Sequence, residues 1–319
     1  MNGAFYVSQE LGTGGRTTDG YICDGWRIDH AGSSVQTTGA VSAGVNTPGL
    51  AFVLAATTTT AQTSMGAGDY VFIAHQIEGY RIARLGWGTA NAQPITIAFK
   101  TWHTRPGTYS VGVRNYTGTR SYFTTYTQNV STAIEYKTVT IPGDVTGTWE
   151  ISNLRGIQLI FTQACGTTFT IPSVNTWAAG NFLSAPGQVN AVAATSDVFR
   201  LTGVVVLPGT QAPTAAQSPL IMRPYDQELV TCKRYYYNAS GSYGGLASTP
   251  KIASSVYYFP VEMRAAPTIT GTFAANTGNA GTFAANSGTQ KNCVIYNSLG
   301  NWTIEAIITY PTLYFDARL

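Results

Sequence analysis

Hydrophobic and polar residues alternate in short runs along the first two thirds of the chain. In residues 95–102 the apolar side chains of Ile95, Ile97 and Phe99 stand at every second position. A period of two predicts β-strands with one buried face, and the Gly, Pro, Asn and Asp clusters between the runs are typical of turns. The same pattern predicts strands at residues 95–102, 109–114, 121–127, 136–141, 157–161 and 199–207.

The turn Arg105-Pro106-Gly107 separates the first two of these runs and predicts that they form a hairpin. Short strands at regular spacing, with no long helical pattern between them, favour an antiparallel β-sandwich or jelly roll. We therefore expect an all-β protein, in which an antiparallel jelly-roll β-sandwich is followed by a short helix and a small C-terminal β-domain.

The composition changes after the last of these strands. Residues 208–219 consist only of Gly, Thr, Gln, Ala, Pro and Ser, which indicates a linker. Residues 226–237 are the best helix candidate, with Asp226 as the N-cap. Its predicted buried stripe comprises Leu229, Cys232, Lys233 and Tyr236.

Strand patterns return in the tail, at residues 256–261, 268–273, 292–296 and 302–310. The predicted organisation is therefore a jelly-roll domain at residues 1–207, a linker and short helix at 208–240, and a C-terminal β-domain at 241–319.

Charge is scarce in this chain. Charged residues make up 10% of it, against about 25% in an ordinary domain. A hydrophobic share of 44% and an aromatic share of 12% exclude a disordered protein. The 18 Lys and Arg residues are scattered, so we expect no nucleic-acid partner. The sequence also lacks an apolar run of about 20 residues and a secretory signal pattern, so we expect no membrane insertion.

Candidate catalytic chemistry is sparse as well. None of the three histidines, His30, His75 and His103, has the local setting of a nucleophile elbow or a metalloprotease helix. The four cysteines are far apart, lack zinc or redox spacing, and are interpreted as buried free thiols. They are Cys23, Cys165, Cys232 and Cys293.

Three carboxylates, Asp19, Asp24 and Asp29, recur every five residues. We interpret them as turn or surface residues, with a catalytic carboxylate pair and a structural Ca²⁺ loop as the alternatives. We accordingly expect no catalytic residue set, no metal site and no cofactor.

Aromatic and basic side chains provide the positive signal for binding. If Ile97 and Phe99 face the core, then Lys100 and Trp102 face the other side of their strand. The same reasoning turns Arg114 and Tyr116 outward on the next strand. Such residues suit sugar recognition, because the apolar face of a pyranose ring stacks on an aromatic side chain. Burial of the same rings at a subunit interface is the alternative. The candidate glycan-binding residues are Trp102, Arg114, Tyr116 and Lys100.

Several short motifs of the chain recur in one known family. The pattern opens with Asn2-Gly3-Ala4-Phe5 and Asp19-Gly20-Tyr21-Ile22-Cys23-Asp24-Gly25-Trp26-Arg27, and closes with Arg223-Pro224-Tyr225 and Cys232-Lys233-Arg234-Tyr235-Tyr236. Together with stretches near residues 76–90, 107–122 and 138–149, these motifs resemble the carbohydrate-binding-like jelly-roll domains of tailed-bacteriophage structural proteins. Residues 259–268 and 316–319 are similar to the C-terminal β-domains of phage tail fibres.

This resemblance implies a virion component, commonly trimeric, that is made in the host cytoplasm and exposed to the host surface. The expected partners are copies of the chain itself, other virion proteins of the tail or head, and host cell-surface polysaccharide. Our leading prediction is a non-enzymatic tail fibre or spike component that contributes to glycan recognition. The alternatives are an architectural head-fibre or decoration protein, and a polysaccharide depolymerase with Asp19, Asp24 or Glu78 among its carboxylates.

Overall fold

The computed structural model describes residues 2–42, 49–245, 252–276, 282–298 and 306–319. The chain divides into two compact units, Met1–Tyr225 together with Leu319, and Asp226–Arg318. Each unit is built mainly from antiparallel strands, which confirms the predicted all-β fold with a jelly-roll β-sandwich.

The first unit is a sandwich of two antiparallel sheets with short helical turns between some strands. The seven-stranded sheet runs in the spatial order β1 (Gly20–Cys23), β2 (Trp26–Ala31), β5 (Tyr70–Glu78), β10 (Arg155–Cys165), β7 (Gly107–Asn115), β8 (Arg120–Gln128) and β11 (Ala178–Ala179). The five-stranded sheet runs β3 (Val35–Ser42), β4 (Phe52–Thr60), β12 (Val198–Pro208), β6 (Ile95–His103) and β9 (Glu135–Ile141). The short helices are α1 (Gly79–Ile82) and the 3₁₀ turns Ala83–Leu85, Thr167–Phe169 and Ser218–Ile221.

Aromatic side chains from both sheets meet between them and form the core. Phe99 of β6 and Phe161 of β10 lie with ring centroids 5.0 Å apart, and Trp26 is fully buried beside them. Burying one such side chain contributes roughly 1.5–3 kcal/mol. A buried polar contact also crosses the sandwich, because the side-chain amide of Gln36 donates to Oε1 of Gln163 at 2.7 Å.

The other face of the seven-stranded sheet is partly covered by the chain between β10 and β12. This covering segment, residues 166–190, packs Ile171 and Leu183 against the outward-facing Phe72 and Phe123. Backbone pairing of its β11 with β8 holds it to the sheet, together with side-chain hydrogen bonds. Among these, the Ala185 amide donates to Ser110 Oγ at 2.8 Å, Ser121 Oγ donates to the Gly180 carbonyl at 2.7 Å, and Thr162 Oγ1 donates to the Leu183 carbonyl. The seven-stranded sheet is therefore apolar on its inner face and partly apolar on its outer face.

The predicted hairpin between residues 95–102 and 109–114 is wrong, although both strands exist. β6 pairs with β12 and β9, whereas β7 pairs with β10 and β8 in the opposite sheet. The connection crosses the sandwich, held by Arg105, which donates two hydrogen bonds to Asp197 at 3.0 and 2.9 Å. Gly107 follows with φ +140°, where a Cβ would lie 2.3 Å from a Val189 methyl group. Turn residues alone did not distinguish a crossing between sheets from a hairpin.

The predicted helix exists as α2 (Tyr225–Lys233), and its predicted stripe is partly right, since Cys232 and Tyr236 are buried. The other buried residue of α2 is Glu228, not Leu229 or Lys233. The helix ends early because Tyr236 begins the next strand.

The second unit contains two three-stranded antiparallel sheets. In one, the order is β13 (Tyr236–Gly245), β18 (Ala306–Asp316) and β15 (Thr268–Asn276), and in the other it is β14 (Ile252–Tyr258), β17 (Asn292–Ser298) and β16 (Thr282–Ser287). Leu313, Phe315, Cys293 and Met263 form its core, and the rings of Tyr257 and Phe315 stack with centroids 5.6 Å apart. The start of the strand predicted at residues 302–310 lies outside the described residues.

All four cysteines are free thiols, as the sequence predicts. Cys23, Cys232 and Cys293 are buried, whereas Cys165 is half-buried. Burial raises the pKa of Cys293 to about 11.

An ion pair joins the two sheets of the sandwich at one end. Asp144, which follows β9, is buried and accepts hydrogen bonds from Arg120 of β8 at 2.9 and 2.6 Å and from the Trp149 indole at 3.1 Å. Burial by itself would raise the pKa of Asp144, but the hydrogen bonds and charge of Arg120 hold it below its ordinary value.

We predict that Asp144→Asn lowers the free energy of unfolding by about 2–3 kcal/mol at neutral pH, because it leaves a partly buried guanidinium without its counter-charge. Since the folded-state pKa is depressed, this contribution is present above the unfolded pKa of about 3.9 and is lost as pH falls through the folded value. Urea unfolding at several pH values measures the difference.

Glu10→Gln is the matched control, since Glu10 makes a more exposed ion pair with Arg16 at 3.0 Å and its loss is expected to cost at most about 1 kcal/mol. Equal losses for both variants would contradict the structural role of Asp144.

Candidate functional site

A cavity of about 250 Å³ opens on the outer face of the seven-stranded sheet, beside the covering segment. Strands β2, β5, β7 and β10 form its floor, and the covering segment forms one wall. The lining residues are Arg27, Asp29, Tyr70, Phe72, Arg114, Arg155, Gln158, Phe169, Asn181 and Leu183.

Strand alternation places the polar lining. In β2 the side chains of Trp26 and Ile28 enter the core, so Arg27 and Asp29 project from the opposite face. Antiparallel pairing then aligns neighbouring strands, and Gln158 of β10 stands opposite Arg114 of β7. Residues distant in sequence thus reach one surface through register.

Arg114 is fixed from both sides of the cavity. Its Nε donates to Oε1 of Gln158 at 2.5 Å, and its Nη1 donates to Oδ1 of Asn181 in the covering segment. The guanidinium carbon also lies 5.8 Å from the Phe72 ring centroid. Burial, together with the charge of Arg155, lowers the pKa of Arg114 to about 10, so the group remains a cation at neutral pH.

Two further guanidinium groups complete the basic side of the cavity. Arg155 donates to Oε1 of Gln76 at 3.3 Å and to the Tyr116 carbonyl at 2.7 Å, and its guanidinium lies 5.3 Å from the Tyr116 ring centroid. Arg27 pairs with Asp29 and lies 5.8 Å from the Tyr21 ring centroid.

Asp29 is the one carboxylate among the described residues that line the cavity. Burial raises its pKa, while the charge and hydrogen bond of Arg27 act in the opposite direction and the nearby charge of Asp19 adds to the rise. The cavity therefore combines three cations with a single carboxylate whose ionised form is penalised.

Three aromatic side chains, Tyr70, Phe72 and Phe169, also line the cavity and together form an aromatic wall. Tyr70 stacks on Phe72 with ring centroids 5.5 Å apart and meets the edge of Phe169 at 5.4 Å. Tyr116 contacts the lining residue Arg155 and is 45% exposed.

The structure separates the four predicted glycan-binding residues. Arg114 lines the cavity and Tyr116 contacts the lining residue Arg155, whereas Lys100 and Trp102 lie on the outer face of the five-stranded sheet. Their exposure is also lower than the sequence interpretation requires. Trp102 is 8% exposed beneath Arg200, whose guanidinium lies 4.6 Å from the ring centroid. Lys100 is 7% exposed, and burial lowers its pKa.

The three candidate catalytic carboxylates lie away from the cavity lining. Asp24 is buried in a turn and accepts two hydrogen bonds from Gln9, each at 2.7 Å. Asp19 pairs with the His30 ring at 2.5 Å, and Glu78 is buried at the end of β5.

Within the described residues, no group of three or more His, Cys, Asp or Glu side chains is arranged to hold a metal ion. Among the same residues, no helix has both the length and the apolar character needed to span a bilayer.

The sequence interpretation missed Arg27, Arg155, Gln158 and Asn181 as site residues. The sequence pattern could have identified Arg27, because it stands between buried Trp26 and Ile28 and must therefore point away from the core. Asn181 carries no such signal, since it belongs to the irregular covering segment.

Comparisons with known proteins give structural similarities only. No family model matches the sequence, and no curated protein matches it. Among solved structures, the enzymatically active domain of tailspike protein 4 of bacteriophage CBA120 is 8% identical with a TM-score of 0.32, and the match covers 58% of this chain and 19% of that one. The family 11 carbohydrate-binding module of a Clostridium thermocellum cellulase is 14% identical with a TM-score of 0.30, covering 63% and 98%. A family 61 module in complex with β-1,4-galactotriose is 11% identical with a TM-score of 0.28, covering 57% and 88%.

We predict that Asp29 titrates above the ordinary aspartate pKa of about 3.9, and that Arg27→Gln raises its pKa further by removing the charge and hydrogen bond that lower it. Carboxyl ¹³C NMR titration of aspartate-labelled protein measures both. Asp144 provides an internal reference, since its pKa is expected below the ordinary value. An Asp29 pKa below that of an exposed aspartate would contradict the described burial.

Proposed function

We propose that this chain binds a saccharide in the cavity of the seven-stranded sheet, without catalysis, as a surface protein of a bacteriophage virion. The observation that carries the binding proposal is the pairing of an aromatic wall with fixed hydrogen-bonding groups. Tyr70, Phe72 and Phe169 line the same cavity as Arg114 and Gln158, whose side chains are joined by a hydrogen bond of 2.5 Å.

This pairing suits the two kinds of surface on a sugar ring. The C–H face of a pyranose packs on an aromatic side chain, while its hydroxyl groups exchange hydrogen bonds with amide and guanidinium groups. The volume of about 250 Å³ lies just under the ~300–1,000 Å³ typical of pockets for larger ligands. We therefore propose that one or a few sugar rings, as at a chain end or branch, occupy the site.

The carboxylates of the cavity favour a binding role over a hydrolytic one. Glycoside hydrolysis ordinarily needs two carboxyl groups about 5–9.5 Å apart on either side of the scissile bond. Among the described lining residues Asp29 has no such companion, and it is paired with Arg27. Release of reducing ends from bound host polysaccharide would support the depolymerase alternative instead.

The virion assignment rests on the phage-like motifs of the sequence. It includes assembly as a homotrimer and contacts with other tail or head proteins, with host cell-surface polysaccharide as the ligand. The low charge of 10% is compatible with burial of neutral polar surface between subunits. An architectural decoration protein without glycan binding is the alternative, which localisation on the virion together with binding assays distinguishes.

We predict that Arg114→Gln and Tyr116→Ala each weaken retention of the protein on host cells or host polysaccharide by about tenfold or more, because each removes a fixed donor or an open ring from the site. Surface plasmon resonance on immobilised polysaccharide measures the change. Arg200→Gln is the matched control, since Arg200 packs on Trp102 on the outer face of the other sheet. Equal weakening by Arg200→Gln would remove the cavity from the proposal.

We predict that the purified chain has three times the mass of one chain in multi-angle light scattering at micromolar concentration. The expectation follows from the proposed fibre-like assembly. A stable monomer under these conditions would contradict the assembly and leave the cavity proposal untouched.

A further inference from the structure

The charges of the cavity are unbalanced. Among its described lining residues, the guanidinium groups of Arg27, Arg114 and Arg155 face one carboxylate, that of Asp29. In a chain with 18 Lys and Arg and 15 Asp and Glu residues, this is a local excess of cations. Like charges held together in a partly buried site repel one another, and the charge of Arg155 contributes to the lowered pKa of Arg114.

The hydrogen-bond donors of the cavity are unbalanced as well. A guanidinium group carries five N–H donors and no acceptor. Within the described chain Arg27 makes one hydrogen bond, to Asp29, while Arg114 and Arg155 make two each. The buried Nε groups of Arg27 and Arg155 have no acceptor among the described residues. Most donors of the three groups thus have no acceptor in the described part of the chain.

Neutral sugars do not correct this imbalance, because each hydroxyl brings a donor as well as an acceptor. An anionic substituent brings only acceptors and one or more negative charges. Carboxylates, sulfates and phosphates also match the planar fork of arginine, which can donate two parallel hydrogen bonds to them.

Resting on the proposed function, we infer that the cavity takes an acidic saccharide, whose anionic group binds between Arg114 and Arg155 while its ring lies against the aromatic wall. The shared chemistry is a sugar ring with a carboxylate, sulfate or phosphate substituent. Pairing of Arg27 with Asp29 leaves the other two guanidinium groups as the main anion partners.

The test compares matched oligosaccharides that differ only in the anionic group. One series consists of galactotriose, trigalacturonate, and sulfated and phosphorylated galactotriose. The corresponding glucose compounds form a second series, and the corresponding mannose compounds form a third. Isothermal titration measures affinity, and the Nε–H resonances of Arg114 and Arg155 report occupancy of the cavity. Inorganic phosphate and sulfate alone show whether the anion binds without its ring.

In at least one series the acidic member is expected to bind about tenfold to a hundredfold more tightly than its neutral partner. The preferred substituent identifies the source of the charge. Affinity for the acidic member is expected to fall as sodium chloride is raised.

Two variants are expected to act in opposite directions. Arg155→Gln should weaken binding of the acidic member, and Asp29→Asn should strengthen it by removing the repelling carboxylate and freeing Arg27. Arg200→Gln should change neither, and cooperative thermal unfolding of each variant establishes that it folds.

Failure of this inference differs from failure of the proposed function. Equal affinity for neutral and acidic members, with both lost in Arg114→Gln, would overturn acidic specificity and leave saccharide binding intact. Binding of free phosphate as tight as that of the phosphorylated sugars would also overturn it, because the ring would then contribute nothing. Absence of binding across all series would contradict both proposals.

Discussion

Alternation of side chains across the seven-stranded sheet is the constraint on which the rest of the first unit depends. Residues on one face, including Trp26 and Phe161, enter the core. Because side chains alternate along a strand, the residues between them must project from the opposite face. A slip of one residue in β2 would turn Arg27 and Asp29 into the core and expel Trp26. Packing of the core therefore also fixes the floor of the cavity, and with it the position of Arg27 and Asp29.

Local contacts with aromatic rings partly offset the free-energy cost of placing three guanidinium groups close together on that face. Each guanidinium lies against an aromatic ring, with Arg114 near Phe72, Arg155 near Tyr116 and Arg27 near Tyr21. Such cation–π contacts contribute roughly 0.5–2 kcal/mol each and partly replace lost hydration. The low overall charge of the chain also leaves few distant charges to compete with the field of the cavity, so a small cluster dominates its surroundings.

The sequence predicts the strands better than it predicts their partners. The period of two in residues 95–102 and 109–114 identifies β6 and β7, because alternation is local information. Their assignment to opposite sheets depends on the crossing held by Arg105 and on the room left at Gly107, which are long-range contacts. Alternation thus places Arg114 on an outward face. Its position beside Arg155 and Asn181, however, depends on the register of β7 with β10 and on the covering segment. The stripe predicted for α2 is right at Cys232 and misses Glu228 for the same reason, since burial of Glu228 is set by tertiary surroundings.

The covering segment contributes both to the cavity and to the packing of the domain. It supplies Phe169, Asn181 and Leu183 to the cavity wall, and its Trp177 packs on Trp87, Tyr122 and Trp149 of the core. Its attachment combines backbone pairing of β11 with β8, side-chain hydrogen bonds and a small apolar patch on the sheet. Changes at Phe169 or Asn181 can therefore reshape one wall of the cavity without altering Trp177 or the pairing of β11 with β8. The shape of the cavity and the packing of the sandwich thus depend on different residues of one segment.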